Sequence, residues 1–133
     1  MAISTFRDLR VWQKAQELTV LIYGLTNKFP SSEIYGLTSQ IRKSAHSVSS
    51  NIAEGFGRRG LRDKTQFLYI ARGSILETQC HILVAKDLGH VSVSECARID
   101  HEYNGLIAGL NALISNLSIN RAPNLHTSKT QNL

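Results

Sequence analysis

The chain has 133 residues, with 15 Lys and Arg against 10 Asp and Glu for a formal charge of +5. That length suits one domain with a single core. The charge favours polyanionic partners such as RNA, DNA or acidic proteins. The two cysteines, Cys80 and Cys96, sit at neither disulfide-framework nor zinc-ligand spacing, which points to a reducing, cytoplasmic setting. Met1-Ala2-Ile3-Ser4-Thr5 lacks a basic region followed by an apolar run, and no stretch reaches the ~18 apolar residues of a membrane span. Neither export nor membrane insertion is expected.

The first helix is predicted from Phe6 or Asp8 to Lys28, with Val11, Ala15, Leu18, Ile22, Leu25 and Phe29 on one stripe. Thr5 and Asp8 are its candidate N-caps, and Phe29-Pro30-Ser31-Ser32 is its break. A second helix is predicted from Leu37 to Glu54, burying Leu37, Ile41, Ala45, Val48 and Ile52 and stopping at Gly55-Phe56-Gly57. Its small and hydroxyl residues allow close approach of a neighbouring backbone, which makes it the central helix. The third helix is predicted from Asp63, spaced as a capping box with Gln66, to Leu88, along Leu68, Ala71, Ile75, Ile82 and Ala85. Gly89 suits the left-handed position after it. Ser92 and Glu95 form a second capping box. They open a fourth helix along Cys96, Ile99, Tyr103, Leu106, Leu110, Leu113 and Leu117.

Residues 118–133 are polar, contain Pro123 and show no periodicity, and are read as a flexible polar tail after a four-helix bundle domain at 1–117. No segment alternates as a strand would. Four helices with short connections predict an all-α fold, an antiparallel up-and-down four-helix bundle.

Charge is concentrated in the first half: through Arg72 there are 11 basic and 5 acidic residues, and beyond it 4 basic and 5 acidic. Arg42, Lys43, Arg58, Arg59, Arg62, Lys64 and Arg72 stand against only Glu54 and Asp63 within 31 residues. Such a cluster at a helix-helix turn can converge on phosphates, and it reads equally as a solvated face without a ligand. Ser47, Asn51, Glu54 and Arg58 recur at three and four residues, the spacing of a polar network on one helix face. That row reads as a structural lock on helix register in preference to a pocket with Glu54 as a base.

Three enzymatic patterns fail on context. Gly55-Phe56-Gly57-Arg58-Arg59-Gly60 spells a dinucleotide fingerprint but closes a helix instead of leaving a strand, so its glycines are expected to end the second helix and permit the turn. Glu17, Glu54, Glu77 and Glu102 could supply a di-iron site, yet the Glu-x-x-His pairs are missing, and no metal or other cofactor is expected. A helical ribonuclease built around Arg-x4-6-His is the nearest rival. Arg121 and His126 have that spacing but enclose Pro123, and Arg42 to His46 is one residue short. Trp12, Tyr23, Tyr35 and Phe56 fit core or interface positions better than base stacking, with Trp12 as readily an inter-subunit contact as a core residue.

Phe29-Pro30, Glu33-Ile34-Tyr35-Gly36-Leu37-Thr38-Ser39-Gln40-Ile41-Arg42-Lys43-Ser44-Ala45, Ser50-Asn51-Ile52-Ala53-Glu54-Gly55 and Arg58 together form an unusual run. It resembles the four helix bundle family of 23S rRNA-intervening sequence proteins. Phe6, Leu9, Trp12, Lys14, Ala15 and Tyr23 match that family's first helix. Phe67-Leu68, Ala71-Arg72-Gly73-Ser74 and Glu77 match its third. His46 stands where an aliphatic residue is usual and Ser49 where Pro is common, which bears on local packing of the second helix. The resemblance implies a cytosolic protomer in a ring-like homo-oligomer, often a homopentamer, with no established catalysis. A related branch resembles the accessory variability determinant proteins of retroelements, which bind nucleic acid and a reverse transcriptase. The function expected is therefore a non-enzymatic, self-associating adaptor with a basic surface for RNA or DNA. The alternatives are a protein-interaction scaffold without nucleic acid and, behind it, a ribonuclease.

Overall fold

The computed structural model describes residues 3–121. Four helices, α1 (Arg10–Thr26), α2 (Leu37–Gly57), α3 (Leu61–Asp87) and α4 (Val93–Arg121), make an all-α fold with no strand among the described residues. Contacts between neighbouring helices run in descending order. Thr19 and Arg42 join α1 to α2 through Ala45 and Thr26. Ser44 meets Thr78 and Ser47 meets Ser74 between α2 and α3. Arg72 meets Asn111 and Gln79 meets Asn104 between α3 and α4. Each sequential pair is therefore antiparallel, and α4 returns to α1 where Lys14 pairs with Glu102.

The predicted stripes form the core. Ala15, Leu18 and Ile22 from α1 meet Ile41, Ala45, Val48 and Ile52 from α2, all buried. Leu68, Ala71, Ile75, Ile82 and Ala85 from α3 and Cys96, Ile99, Tyr103, Leu106 and Leu110 from α4 complete it. In the last turns of α4 the buried position passes from Leu113 to Ile114. A strict seven-residue repeat drifts by ~20° per heptad on a straight helix, so the stripe and the core part company there.

Several boundaries differ from expectation. Asp8 does not cap α1. The Thr5 hydroxyl accepts the Arg7 N–H at 3.2 Å, and the Asp8 carboxylate accepts the Ser4 and Thr5 N–H groups at 3.0 and 3.1 Å. This box closes a 3-10 turn at Phe6–Asp8, extended Leu9 follows, and α1 starts only at Arg10. α2 does not stop before Gly55 but runs to Gly57. A Cβ at Gly55 would lie 3.0 Å from Phe67 Cβ and 3.3 Å from the Lys64 carbonyl oxygen, so this glycine lets α3 press against α2. α3 starts at Leu61 behind Gly60, without the Asp63–Gln66 box, because the chain is already helical at Asp63. α4 continues past Leu117 to Arg121. The rest of the predicted tail, 122–133, lies outside the described residues.

Both ends of the α3–α4 connection match the sequence reading. Gly89 adopts φ +85°, and the N–H groups of Gly89 and His90 bond the Lys86 and Ala85 carbonyls at 2.9 and 2.8 Å, a Schellman closure. Ser92 and Glu95 exchange their capping bonds at 3.1 Å each. α2 is unbroken through His46 and Ser49, and the Ser49 hydroxyl bonds back to the His46 carbonyl at 3.2 Å.

Candidate nucleic-acid interface

Arginines need phosphates within reach and must not already be satisfied inside the fold. By that criterion the seven predicted cations divide. The Arg42 guanidinium donates to Thr26 Oγ1 at 2.8 Å, Asn27 Oδ1 at 3.0 Å and the Tyr23 carbonyl at 3.3 Å, and lies 4.6 Å over the Tyr23 ring. It closes the C-terminal end of α1, where unpaired carbonyls favour a cation. Lys64 Nζ does the same for α2, donating to the Phe56 carbonyl at 2.8 Å. Arg72 clasps α3 to α4 through Asn111 Oδ1 at 2.7 Å and stacks on Tyr69 at 4.8 Å.

Arg58, Arg59 and Arg62 remain at the α2–α3 turn, all exposed. Arg58 pairs with Glu54 at 2.8 Å and lies 4.7 Å over the Phe67 ring. Arg59 and Arg62 have no partner among the described residues. Gly60 provides α3 with no side-chain cap, so the first amides of this 27-residue helix face the same turn. Asp63 in that first turn is the opposing charge. Lys43 is exposed but stands with Arg42 some fourteen residues, roughly 21 Å, up α2 from its end. It belongs to a different part of the surface.

One cation escaped sequence reasoning. Phe6 faces Ser50, Ala53, Glu54, Gly57 and Arg58 across a shallow groove of about 540 Å³. Arg7, 5.6 Å over the Phe6 ring and exposed, therefore belongs to the same end of the bundle as Arg58. Fifty residues of chain separate the two, and only the position of the 3-10 turn beside α2 unites them.

The predicted polar row also divides. Asn51 donates to the Ser47 carbonyl and hydroxyl at 2.8 and 2.9 Å, and Ser47 meets Ser74 of α3 at 3.0 Å. This half-buried chain ties α2 to α3 beside the buried Thr78–Ser44 bond at 2.8 Å. Glu54 and Arg58 form a separate exposed pair. Glu17, Glu54, Glu77 and Glu102 lie on the outside of the bundle, and no three His, Cys, Asp or Glu side chains converge among the described residues. The Arg42–His46 pair does not form a site, because Arg42 is bound to α1 while His46 is exposed. Arg121–His126 lies outside the described residues. Trp12 is half-buried against the core and edge-on to Phe6 at 5.0 Å, Phe56 lies beneath Lys64, and Tyr35 is fully exposed in the α1–α2 connection. No described helix is long and apolar enough to cross a membrane.

Residues 7–112 match the family described as 23S rRNA-intervening sequence protein. The fold is similar to the crystal structure, at 1.70 Å, of a protein with unknown function from the S23 ribosomal protein family of Bacteroides thetaiotaomicron VPI-5482. The TM-score is 0.73 and the identity 21%, covering 78% of this chain and 97% of that chain. At that identity the likeness speaks for the fold alone. No curated protein matches the chain.

Proposed function

The chain belongs to the 23S rRNA-intervening sequence protein family, and from that premise we propose that it is a self-associating adaptor that holds RNA or DNA at the α2–α3 turn and breaks no bond. The observation that carries this reading is the grouping of Arg58, Arg59 and Arg62 around the uncapped start of α3, with Arg7 alongside. Guanidinium groups and helix-start amides both favour phosphate oxygens, and neither reads a base. Binding of this kind is sequence-tolerant and strongly salt-dependent. With Glu54 and Asp63 close by, one turn offers little net charge. Self-association, in the ring that the family resemblance implies or in a smaller assembly, repeats the turn on every subunit and multiplies weak contacts.

Filter binding of generic RNA and DNA across a salt series tests the reading. Reversing Arg58 and Arg59 to Glu should lower affinity at least tenfold. It should also flatten the slope of log K against log salt by about 0.7 to 0.9 for each phosphate no longer neutralised. Unchanged affinity and slope in a variant of normal helicity would remove nucleic acid from the account and leave a protein-interaction scaffold. Turnover of single-stranded RNA by the purified chain would overturn the non-catalytic half.

A further inference from the structure

The connection between α1 and α2 borders a recess of about 220 Å³ that the nucleic-acid reading does not use. Thr38 and Arg42 of α2, Asn27 at the end of α1 and Ser31 in the 3-10 turn Ser31–Glu33 line it, with Phe29 and Ile34 as apolar walls. The clasp that takes Arg42 out of the nucleic-acid surface fixes it here. Its Nε and Nη2 are spent on Thr26, Asn27 and the Tyr23 carbonyl, and its guanidinium lies on the Tyr23 ring. A guanidinium carries five N–H groups, so the two on Nη1 are left over.

Thr38 adds an independent observation. It is only 6% exposed, yet its hydroxyl has no partner among the described residues. The buried hydroxyls of Thr19, Thr26 and Thr78 each donate to the carbonyl four residues earlier at 2.8 Å. A buried hydroxyl that forgoes such a bond and lines a recess calls for a partner from outside.

The recess is rich in donors and poor in acceptors. The carbonyls of Thr26, Pro30 and Ser31 already accept the N–H groups of Phe29, Glu33 and Ile34 at 3.0, 2.9 and 3.2 Å. No Asp or Glu lines it among the described residues. Glu33 has one oxygen on the Leu37 N–H and the other on His90 Nε2, each at 3.2 Å. What remains to bond a ligand is Arg42 Nη1, the Thr38 and Ser31 hydroxyls and Asn27 Nδ2, whose companion oxygen is held by Arg42. Thr38 also stands in the first turn of the 21-residue α2, the positive end of that helix.

We infer that this recess is a binding site for a small phosphate monoester, with its oxygens on Arg42, Thr38 and Ser31 and its organic substituent against Phe29 and Ile34. A fixed cation beside hydroxyl donors, with no carboxylate among them, selects an oxyanion. Donors carried by three separate segments suit the three acceptor oxygens of a phosphate better than the two of a carboxylate. The site is independent of the α2–α3 turn and of what that turn binds.

Calorimetric titration of the full chain with inorganic phosphate, at neutral pH and constant ionic strength, tests the assignment. One site per chain is expected. Thr38→Val keeps the shape of the side chain and removes the hydroxyl, so it should retain helical circular dichroism and bind phosphate at least about fivefold more weakly. Thr38→Ser, which keeps the hydroxyl, should bind as the wild type does. Acetate should bind at least about fivefold more weakly than phosphate, having fewer oxygens to offer. Reversing Arg58 and Arg59 to Glu should leave the site intact, and saturating generic RNA should not displace phosphate from it. Heats that do not saturate, an affinity indifferent to Thr38→Val, or acetate held as tightly as phosphate would each overturn the assignment. So would loss of the site with Arg58 and Arg59, or displacement by RNA, since either would return the phosphate to the nucleic-acid surface.

Discussion

Gly55→Ala tests whether the α2–α3 contact is set by backbone approach or by side-chain fit. In an open helical position, replacing glycine by alanine stabilises by about 1 kcal/mol. Gly105, inside α4 with nothing within 4 Å of an added methyl, is such a position. At Gly55 the same methyl would stand 3.0 Å from Phe67 Cβ and 3.3 Å from the Lys64 carbonyl oxygen. Neither atom is the end of a flexible side chain, so α3 has to move. Overpacking of this kind costs about 1 to 3 kcal/mol, which offsets or exceeds the helical gain. Gly55→Ala should therefore be about 1 to 3 kcal/mol less stable than Gly105→Ala, or roughly 4 to 12 °C lower in midpoint temperature for a domain of this size. Urea unfolding at one protein concentration, with equal m-values, measures the difference. Equal stabilisation by both substitutions would show that the helices have room to spare and that the close approach is not what carries α2 through Gly55.

Ile75→Ala, at a fully buried position, should cost about 2 to 5 kcal/mol by calorimetry or denaturant titration. Tyr103→Phe should leave stability unchanged or raise it by about 1 kcal/mol, because the buried Tyr103 hydroxyl has no protein partner among the described residues. Arg42→Ala should destabilise by about 1 to 2 kcal/mol through the loss of the α1 closure without changing RNA affinity, whereas Arg59→Ala should do the reverse. Backbone N–H bonds from Ser4 and Thr5 hold the Asp8 carboxyl below the usual carboxylate range, and the Ser92 N–H holds Glu95 below it. A native carboxyl with a depressed pKa contributes stability that is present above the unfolded value of about 4 and lost as pH falls through the native one. Glu95→Gln should therefore flatten the acid limb of the stability profile between about pH 5 and 2.

The core was legible because burial and helical period coincide at nearly every position of α1, α2 and the inner side of α3. Boundaries were less so. Glycine at 55 reads as a stop by propensity, yet a packing demand from Phe67 and Lys64, residues of another helix, outweighs it, and α2 ends only at Gly57. The basic cluster was legible as charge but not as geometry, for a related reason. Arg42, Lys64 and Arg72 are held by Thr26, Phe56 and Asn111, each on a different helix from its cation and so invisible to spacing along one. Arg7 was missed because only tertiary structure brings Phe6, the ring beneath it, to the groove lined by Arg58. The exposed apolar side chains of α3, Tyr69, Leu76 and Leu83, were present in the sequence at heptad spacing. A helix apolar on two sides shows little contrast between its faces, so counting one stripe conceals the other.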